Sequence, residues 1–288
     1  GALRPGADAD FLLVDGDPSV GDPRRDGALL AGLAPAASDV FDPKSLRAAG
    51  IPVVVWTVND APRIDALLRL GVDGIISDRP DLLRAAVHAF DGDGDGAPDL
   101  VGADGLVDPA RFDAQGHRGA RNLRPENTLP AMEAALDELV TTLETDVGLT
   151  RDEAPILSHD PYLEASKCRR GDGRPYDHAD ERLIRELTRA ELQAAFVCDR
   201  LSRGPSQRNE PALSPVAVAF ARAEGLASPY TPPTLEQLFR FVDAYAAHHE
   251  TGPGAAHPEA PPPARTARQT FAASGSRSSR STRRARSP

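Results

Sequence analysis

Residues 53–90 run through one pattern twice, an apolar run followed by an amphipathic stretch with helix punctuation, and that repetition constrains the fold most. Val53 to Val58 reads as a buried strand, after which Asn59 can cap a helix with Pro62 in its first turn. Ile64, Leu67 and Leu68 give that helix an inner face, and Gly71 stops it. Val72 to Ile76 is then a second strand, and Pro80 to Phe90 a second helix whose inner face carries Leu82, Leu83, Ala86 and Val87. A strand-helix-strand-helix unit belongs to parallel α/β folds. With 288 residues, 40% of them hydrophobic, the chain has the apolar content for one barrel or two smaller units.

A second stretch, residues 112–160, carries the chemistry. Gln115-Gly116 ends a strand that delivers His117 and Arg118. Leu139 to Val147 is rich in β-branched and apolar residues, and side chains two apart on a strand share a face, so Glu144 and Asp146 project together. Two adjacent carboxylates repel unless a cation lies between them, and oxygen ligands suit a hard divalent ion, Ca²⁺ or Mg²⁺. Pro155 to Ser158 reads as the next short strand, with His159 at its end. Two histidines at neighbouring strand ends suit one proton donor and one acceptor, because imidazole titrates near neutral pH. Arg118 offers a planar fork for phosphate oxygens. Each feature alone also has a plain reading as a solvated strand edge. Asn127 or Thr128 can cap a helix with Pro130 in its first turn and a stripe of Leu129, Met132, Leu136 and Leu139.

In this order, His117-Arg118-Gly119, Pro125-Glu126-Asn127-Thr128, Glu144-Thr145-Asp146 and His159-Asp160 resemble the N-terminal half of the glycerophosphodiester phosphodiesterases, which are TIM-type (β/α)8 barrels. The resemblance runs from about Phe112 to Tyr245 and includes Pro233-Thr234-Leu235-Glu236. It implies metal-dependent hydrolysis of a small-molecule glycerophosphodiester to an alcohol and glycerol 3-phosphate. In it His117 and His159 are the acid/base pair, Glu144 and Asp146 hold the metal, Arg118 contacts phosphate, and Glu126 supports the site beside Asn127. The stretches VVVWTVND and GVDGIISDRPDLL resemble the last two βα units of the same family, yet here they precede the half they should follow. Trp56 would complete the substrate wall. Three origins fit that order: the end of one domain and the start of the next in tandem, a circular permutant, or a misassembled product.

The chain also departs from the family pattern. The resemblance implies a third carboxylate ligand with a lysine two residues on, after the helix that begins near Thr234. Lys44 and Lys167 are the only lysines, neither sits two residues after a glutamate, and no Asp or Glu follows Glu259. Pro261 to Pro288 is rich in Pro, Ser and Arg, with Phe271 its one large apolar residue, and reads as a disordered tail. Arginine outnumbers lysine 31 to 2, which suggests GC-rich coding and an interruption of the barrel near Pro261 by a frameshift or assembly error.

The fold expected is therefore α/β, an incomplete or split TIM-type barrel. Its parts are closing βα units at 1–90, an acidic segment at 91–110, the first barrel half at 111–250 and the tail at 251–288. Asp91, Asp93 and Asp95 alternate with glycine, and Asp99 follows, as in the first half of a calcium loop. Gly102 stands where an EF-hand places its glutamate, so an acidic linker explains the segment equally well. Residues 5–17 resemble the closing segment of metal-dependent amidohydrolases, or form an edge strand ending in a Gly-Asp-Pro turn; the zinc-type HxH pair of such enzymes is absent from the sequence. Cys168 and Cys198 bracket a polar insertion from Tyr162 to Arg208, either as a staple in an oxidising compartment or as reduced thiols. They favour a periplasmic or extracellular location over a cytoplasmic one. The net charge of −10, more negative without the tail arginines, argues against nucleic acid as a partner. No membrane span or signal peptide is visible, and the chain sets no oligomeric state. A noncatalytic calcium-binding or interaction fragment is the alternative of a different class.

Overall fold

The computed structural model describes residues 52–251 and 270–274. The amidohydrolase-like segment and most of the expected tail lie outside the described residues.

Strand β1 (Val54–Val55), helix α1 (Ala61–Leu70), strand β2 (Gly74–Ser77) and helix α2 (Pro80–Ala89) form the first unit. Asp60 caps α1, accepting from the Arg63 N–H, and Gly71 closes it at φ 82°. The expected cap, Asn59, is used elsewhere: its side chain turns to Ser77 and Asp78 at the end of β2. Asp60 fills the role because its short carboxylate sits one residue nearer the first free N–H groups.

Strand β3 (Asp113–Gly116), helix α3 (Leu129–Asp137) and strand β4 (Thr142–Leu149) follow the acidic segment. Thr128 caps α3. Leu139 falls outside that helix, in a turn at φ 56°, so the expected stripe ends at Leu136. β5 (Pro155–Leu157) folds back antiparallel on the far end of β4.

The main sheet runs β1-β2-β3-β4 in sequence order with every pair parallel. Helices connect each neighbour to the next across most of it, the single winding of a (β/α) barrel wall rather than the reversed order of a doubly wound sheet. The two stretches separated by the acidic segment therefore make one sheet. Their joint is β2 against β3, from Gly74 opposite Asp113 to Ser77 opposite Gly116. A Cβ on Gly74 would lie 2.7 Å from the Asp113 carbonyl oxygen, so the close approach there requires glycine. One hydrophobic cluster spans the same joint, from Val53, Ile64, Ile75 and Leu83 to Val107, Phe112 and Ala114.

The far side of β4 pairs in parallel with β8 (Thr270–Ser274), with Glu144 opposite Ala272 and Asp146 opposite Ser274. The expectation of a structureless stretch from residue 251 is thus corrected at these five residues. Ladder hydrogen bonds are made by backbone groups, so a segment poor in large apolar side chains can still occupy a strand position. Among the described residues the parallel sheet ends at β1 and β8, an arc of a barrel.

The insertion has its own small core around Leu163, Tyr176, Ile184, Leu192 and Phe196. It contains β6 (Arg169–Arg170), helix α4 (Arg189–Ala195) and β7 (Phe196–Val197), with β6 and β7 antiparallel. Cys168 and Cys198, left open by the sequence, are joined as a disulfide. Helices α5 (Pro215–Ala223) and α6 (Leu235–Thr251) pack on α3 through Val216, Ala217, Leu238 and Phe241. Among the described residues no helix is long and apolar enough to cross a membrane.

Candidate active site

The C-terminal ends of the parallel strands deliver the polar residues to one place, as barrel geometry demands. Trp56 and Thr57 follow β1, Asp78 follows β2, His117 and Arg118 follow β3, and Glu144 and Asp146 lie within β4. The β4–β5 hairpin carries His159 back to the same end, where the Ser158 N–H donates to the Asp146 carbonyl at 3.0 Å. The sequence suggested neighbouring strands for the two histidines, but β4 lies between them, since β3 and β5 pair with its opposite edges.

His117 is buried, at 5% exposure, with its Nδ1 2.6 Å from Asp78 Oδ1. Burial pushes the Asp78 carboxyl up, but the hydrogen bond with His117 and the charge of Arg121 outweigh it and hold Asp78 below its ordinary range. An ionised Asp78 can only accept, so Nδ1 of His117 carries the proton and Nε2 faces the site, 3.8 Å from Glu144 Oε2. Burial also lowers the His117 pKa, against the opposing pull of Asp78, which favours neutral imidazole near pH 7. Thr57 Oγ1 lies 3.4 Å from the same Nδ1, and Asn59 holds Asp78 Oδ2 at 2.8 Å. The first unit thus builds the surroundings of the second unit's histidine.

Arg118 takes φ 52°, and its N–H donates to Glu144 Oε2 at 3.0 Å. Its guanidinium donates to Glu126 Oε1 at 2.9 Å and approaches Asp146 Oδ2 at 3.1 Å. Gly119 follows at φ 79°, where a Cβ would meet the Ala131 carbonyl at 2.5 Å. Asn127, also at positive φ, does not cap α3; its Oδ1 accepts from Thr145 at 2.9 Å and its Nδ2 lies 3.5 Å from Asp146 Oδ2. Its amide therefore braces the carboxylate strand.

Glu144 and Asp146 are both buried. Burial and the nearby Asp146 charge push Glu144 up to about 8, the response expected of two like charges facing each other away from water. This is a donor set that a hard divalent cation would relieve, and Ca²⁺ or Mg²⁺ fits its oxygen chemistry. Among the described residues, Glu144 and Asp146 form no group of three close Asp, Glu, His or Cys ligands; Asp91, Asp93 and Asp99 do, within 4.8 Å. Asp95 stands outside that group.

His159 is less buried than His117, and its Nδ1 lies 3.1 Å from Asp160 Oδ1. Asp160 Oδ2 accepts from Lys167 Nζ at 2.6 Å, and the same ammonium donates to Glu164 at 2.8 Å and lies 2.9 Å from Glu126 Oε1. Burial pushes Glu126 up, yet Arg118, Lys167 and Arg121 together hold it down at about 2. Lys167, Arg121 and Asp78 were not singled out from the sequence. Asp78 was legible as a carboxylate at the end of a predicted parallel strand, and Lys167 as one of two lysines in an arginine-rich chain, eight residues after His159. Nothing local announced that Lys167 would reach Glu126.

The sequence model of the glycerophosphoryl diester phosphodiesterase family matches residues 33–82 and 117–253. Glycerophosphodiester phosphodiesterase domain-containing protein 4 of Mus musculus is 51% identical over 45 residues, 16% of this chain and 7% of that protein. Among solved structures, a glycerophosphoryl diester phosphodiesterase of Silicibacter pomeroyi DSS-3 is 28% identical, covering 48% of this chain and 41% of that one at a TM-score of 0.35. An Oleispira antarctica phosphodiesterase in complex with the product sn-glycerol-3-phosphate is 24% identical, covering 46% and 41% at a TM-score of 0.31. The matches thus span less than half the length of those relatives. With the family's sequence model matched over well more than half of its residues, in the two stretches that bear the site residues from Asp78 to His159, the chain belongs to the glycerophosphoryl diester phosphodiesterase family.

Proposed function

We propose that the chain hydrolyses glycerophosphodiesters, releasing an alcohol and glycerol 3-phosphate, with His117 as base and His159 as acid. One observation carries this reading: two imidazoles, each with its Nδ1 beside a carboxylate, stand on either side of the buried Glu144–Asp146 pair. Glu144 and Asp146 would hold a divalent cation, which when bound supplies positive charge to the substrate oxygens. The buried, neutral His117 takes the proton of a glycerol hydroxyl as its oxygen bonds to phosphorus. His159, nearer solvent, gives a proton to the alcohol oxygen as the phosphorus–oxygen bond breaks. Water then opens the resulting cyclic phosphate with the two roles exchanged, which balances the protons.

Arg118 is proposed as the phosphate contact; its guanidinium also pairs with Glu126 and Asp146. Trp56, half-buried at the end of β1, is proposed as a wall of the substrate site, with Asn127 and Glu126 as its supports. We also propose that the two matched stretches act as a single catalytic unit and that the chain works outside reducing compartments, which the Cys168–Cys198 bridge supports.

A second reading, a catalytically incomplete chain that binds calcium through Asp91, Asp93 and Asp99, rests on the absence, among the described residues, of a third ligand grouped with Glu144 and Asp146. Hydrolysis of glycerophosphocholine by the purified chain, with Ca²⁺ or Mg²⁺ and with EDTA, separates the two. The expected outcome is turnover that EDTA abolishes and that His117→Ala and Glu144→Ala each lower by at least about a hundredfold. A folded chain without turnover would support the second reading.

A further inference from the structure

We propose that the loop 198–207 is the recognition wall for the departing alcohol, and that Arg200, backed by Arg203, selects an alcohol bearing negative charge. This rests on the reading of His159 as the group facing that alcohol. The cleft beside His159 is lined by Tyr162, Glu164, Lys167, Arg200 and Ser202, and a second hollow continues it past Ser202 and Arg203.

The charges lining that cleft are not equally available. Lys167 is surrounded by Glu126, Asp160 and Glu164 at 2.6–2.9 Å, so its charge is taken up by carboxylates of the protein. Those same contacts, with Arg118 on Glu126, leave each of these carboxylates paired with a cation. Arg200 is different. It donates one N–H to the Ala165 carbonyl and, among the described residues, has no carboxylate within ion-pairing distance. Arg203 Nε stands 3.6 Å from Glu126 Oε2 and makes no hydrogen bond there. A guanidinium with open N–H groups at a cleft suits carboxylate or phosphate oxygens. A trimethylammonium head would find one aromatic ring, Tyr162, and an arginine facing it.

The loop is built to hold this position. The buried Gln207 accepts from the Ser202 and Arg203 N–H groups at 2.7 and 3.1 Å and donates to the Arg121 and Arg124 carbonyls, beside the His117 loop. The Arg200 N–H donates to the Lys167 carbonyl at 3.1 Å, and the disulfide fastens Cys198 to Cys168. Arg200 is thereby held to the same segment that supports Asp160.

The test compares glycerophosphocholine, glycerophosphoglycerol and glycerophosphoglycerol phosphate, whose head groups are cationic, neutral and anionic. Both kcat/KM in the wild type and calorimetric Kd on the His117→Ala chain are measured. The anionic substrate is expected to lead the neutral one by about tenfold in each, the yield of one charge-assisted contact. Arg200→Gln should bring that ratio close to one, Arg200→Lys should keep part of it, and the exposed Arg222→Gln should leave it in place, which separates a local contact from bulk charge. Turnover with a ratio near one in the wild type, or an Arg200→Gln chain that keeps the preference, overturns the subsite while leaving the proposed activity intact. Absence of turnover together with Arg200-dependent anionic binding refutes the activity and supports the subsite. Neither turnover nor binding of any of the three overturns both.

Discussion

Asp78 shows how one side chain joins two distant pieces of sequence. It stands 39 residues before His117, yet its carboxylate meets Nδ1 at 2.6 Å and also lies 2.5 Å from Arg121 Nε. Asp78→Asn keeps the shape but removes the obligatory acceptor, so the tautomer that leaves Nε2 free as a base is no longer enforced. We expect kcat on glycerophosphocholine to fall by on the order of a hundredfold with KM little changed, since the loss is one of proton transfer rather than binding. An Asp78→Asn chain with wild-type kcat would remove this residue from the reaction. His117, Arg118, Glu144, Asp146 and His159 were legible individually, because residue type and strand position carry their chemistry. For Asp78 and Lys167 only type and position were legible, not role, because what matters in each is a partner chosen by folding.

Among the elements, helix α5 depends on a cap from another helix. Its N-cap residue, Ser214, makes no side-chain cap bond; instead Glu133 on α3 accepts from the Val216 and Ala217 N–H groups at 3.1 and 2.6 Å. Burial pushes Glu133 up to about 7, against the downward pull of those two N–H groups. A carboxyl whose folded pKa lies above its unfolded one binds more protons in the native state. Stability from this group is therefore greatest below about pH 4.5 and declines as pH rises toward about 7. Glu133→Gln should flatten that slope in urea titrations between pH 5 and 7; a slope equal to the wild type's would show that Glu133 does not titrate there. The same dependence on context moved the α1 cap from Asn59 to Asp60 and cut Leu139 from α3. Capping residue types are visible in sequence, but which of two adjacent candidates is drawn away to a site is not.

At the scale of the molecule, the acidic segment interrupts the chain without dividing the sheet. Residues 92–98 are exposed, whereas β2, β3 and the cluster from Val53 to Ala114 lie buried on both sides of it. A protease site introduced at Gly94 and cut should leave the two pieces eluting together in gel filtration, with the turnover of the uncut chain retained. Separation of the pieces, or loss of turnover on cutting, would mean that the segment itself holds them together. The linear order of apolar runs, prolines and glycines determined that β1–α1–β2–α2 and β3–α3–β4 would be parallel α/β units, because side-chain periodicity and backbone punctuation are local properties. It also placed the histidines at strand ends and the carboxylate pair on one face of a strand. Only the tertiary structure decided that the earlier unit would supply Asp78 and Thr57 to His117, that β8 would take the strand position beside Glu144 and Asp146 without bringing a carboxylate, and that the stapled insertion would carry Lys167 to Glu126. Those contacts depend on backbone ladders and charge pairing between segments far apart in the chain, which no local pattern of residues encodes.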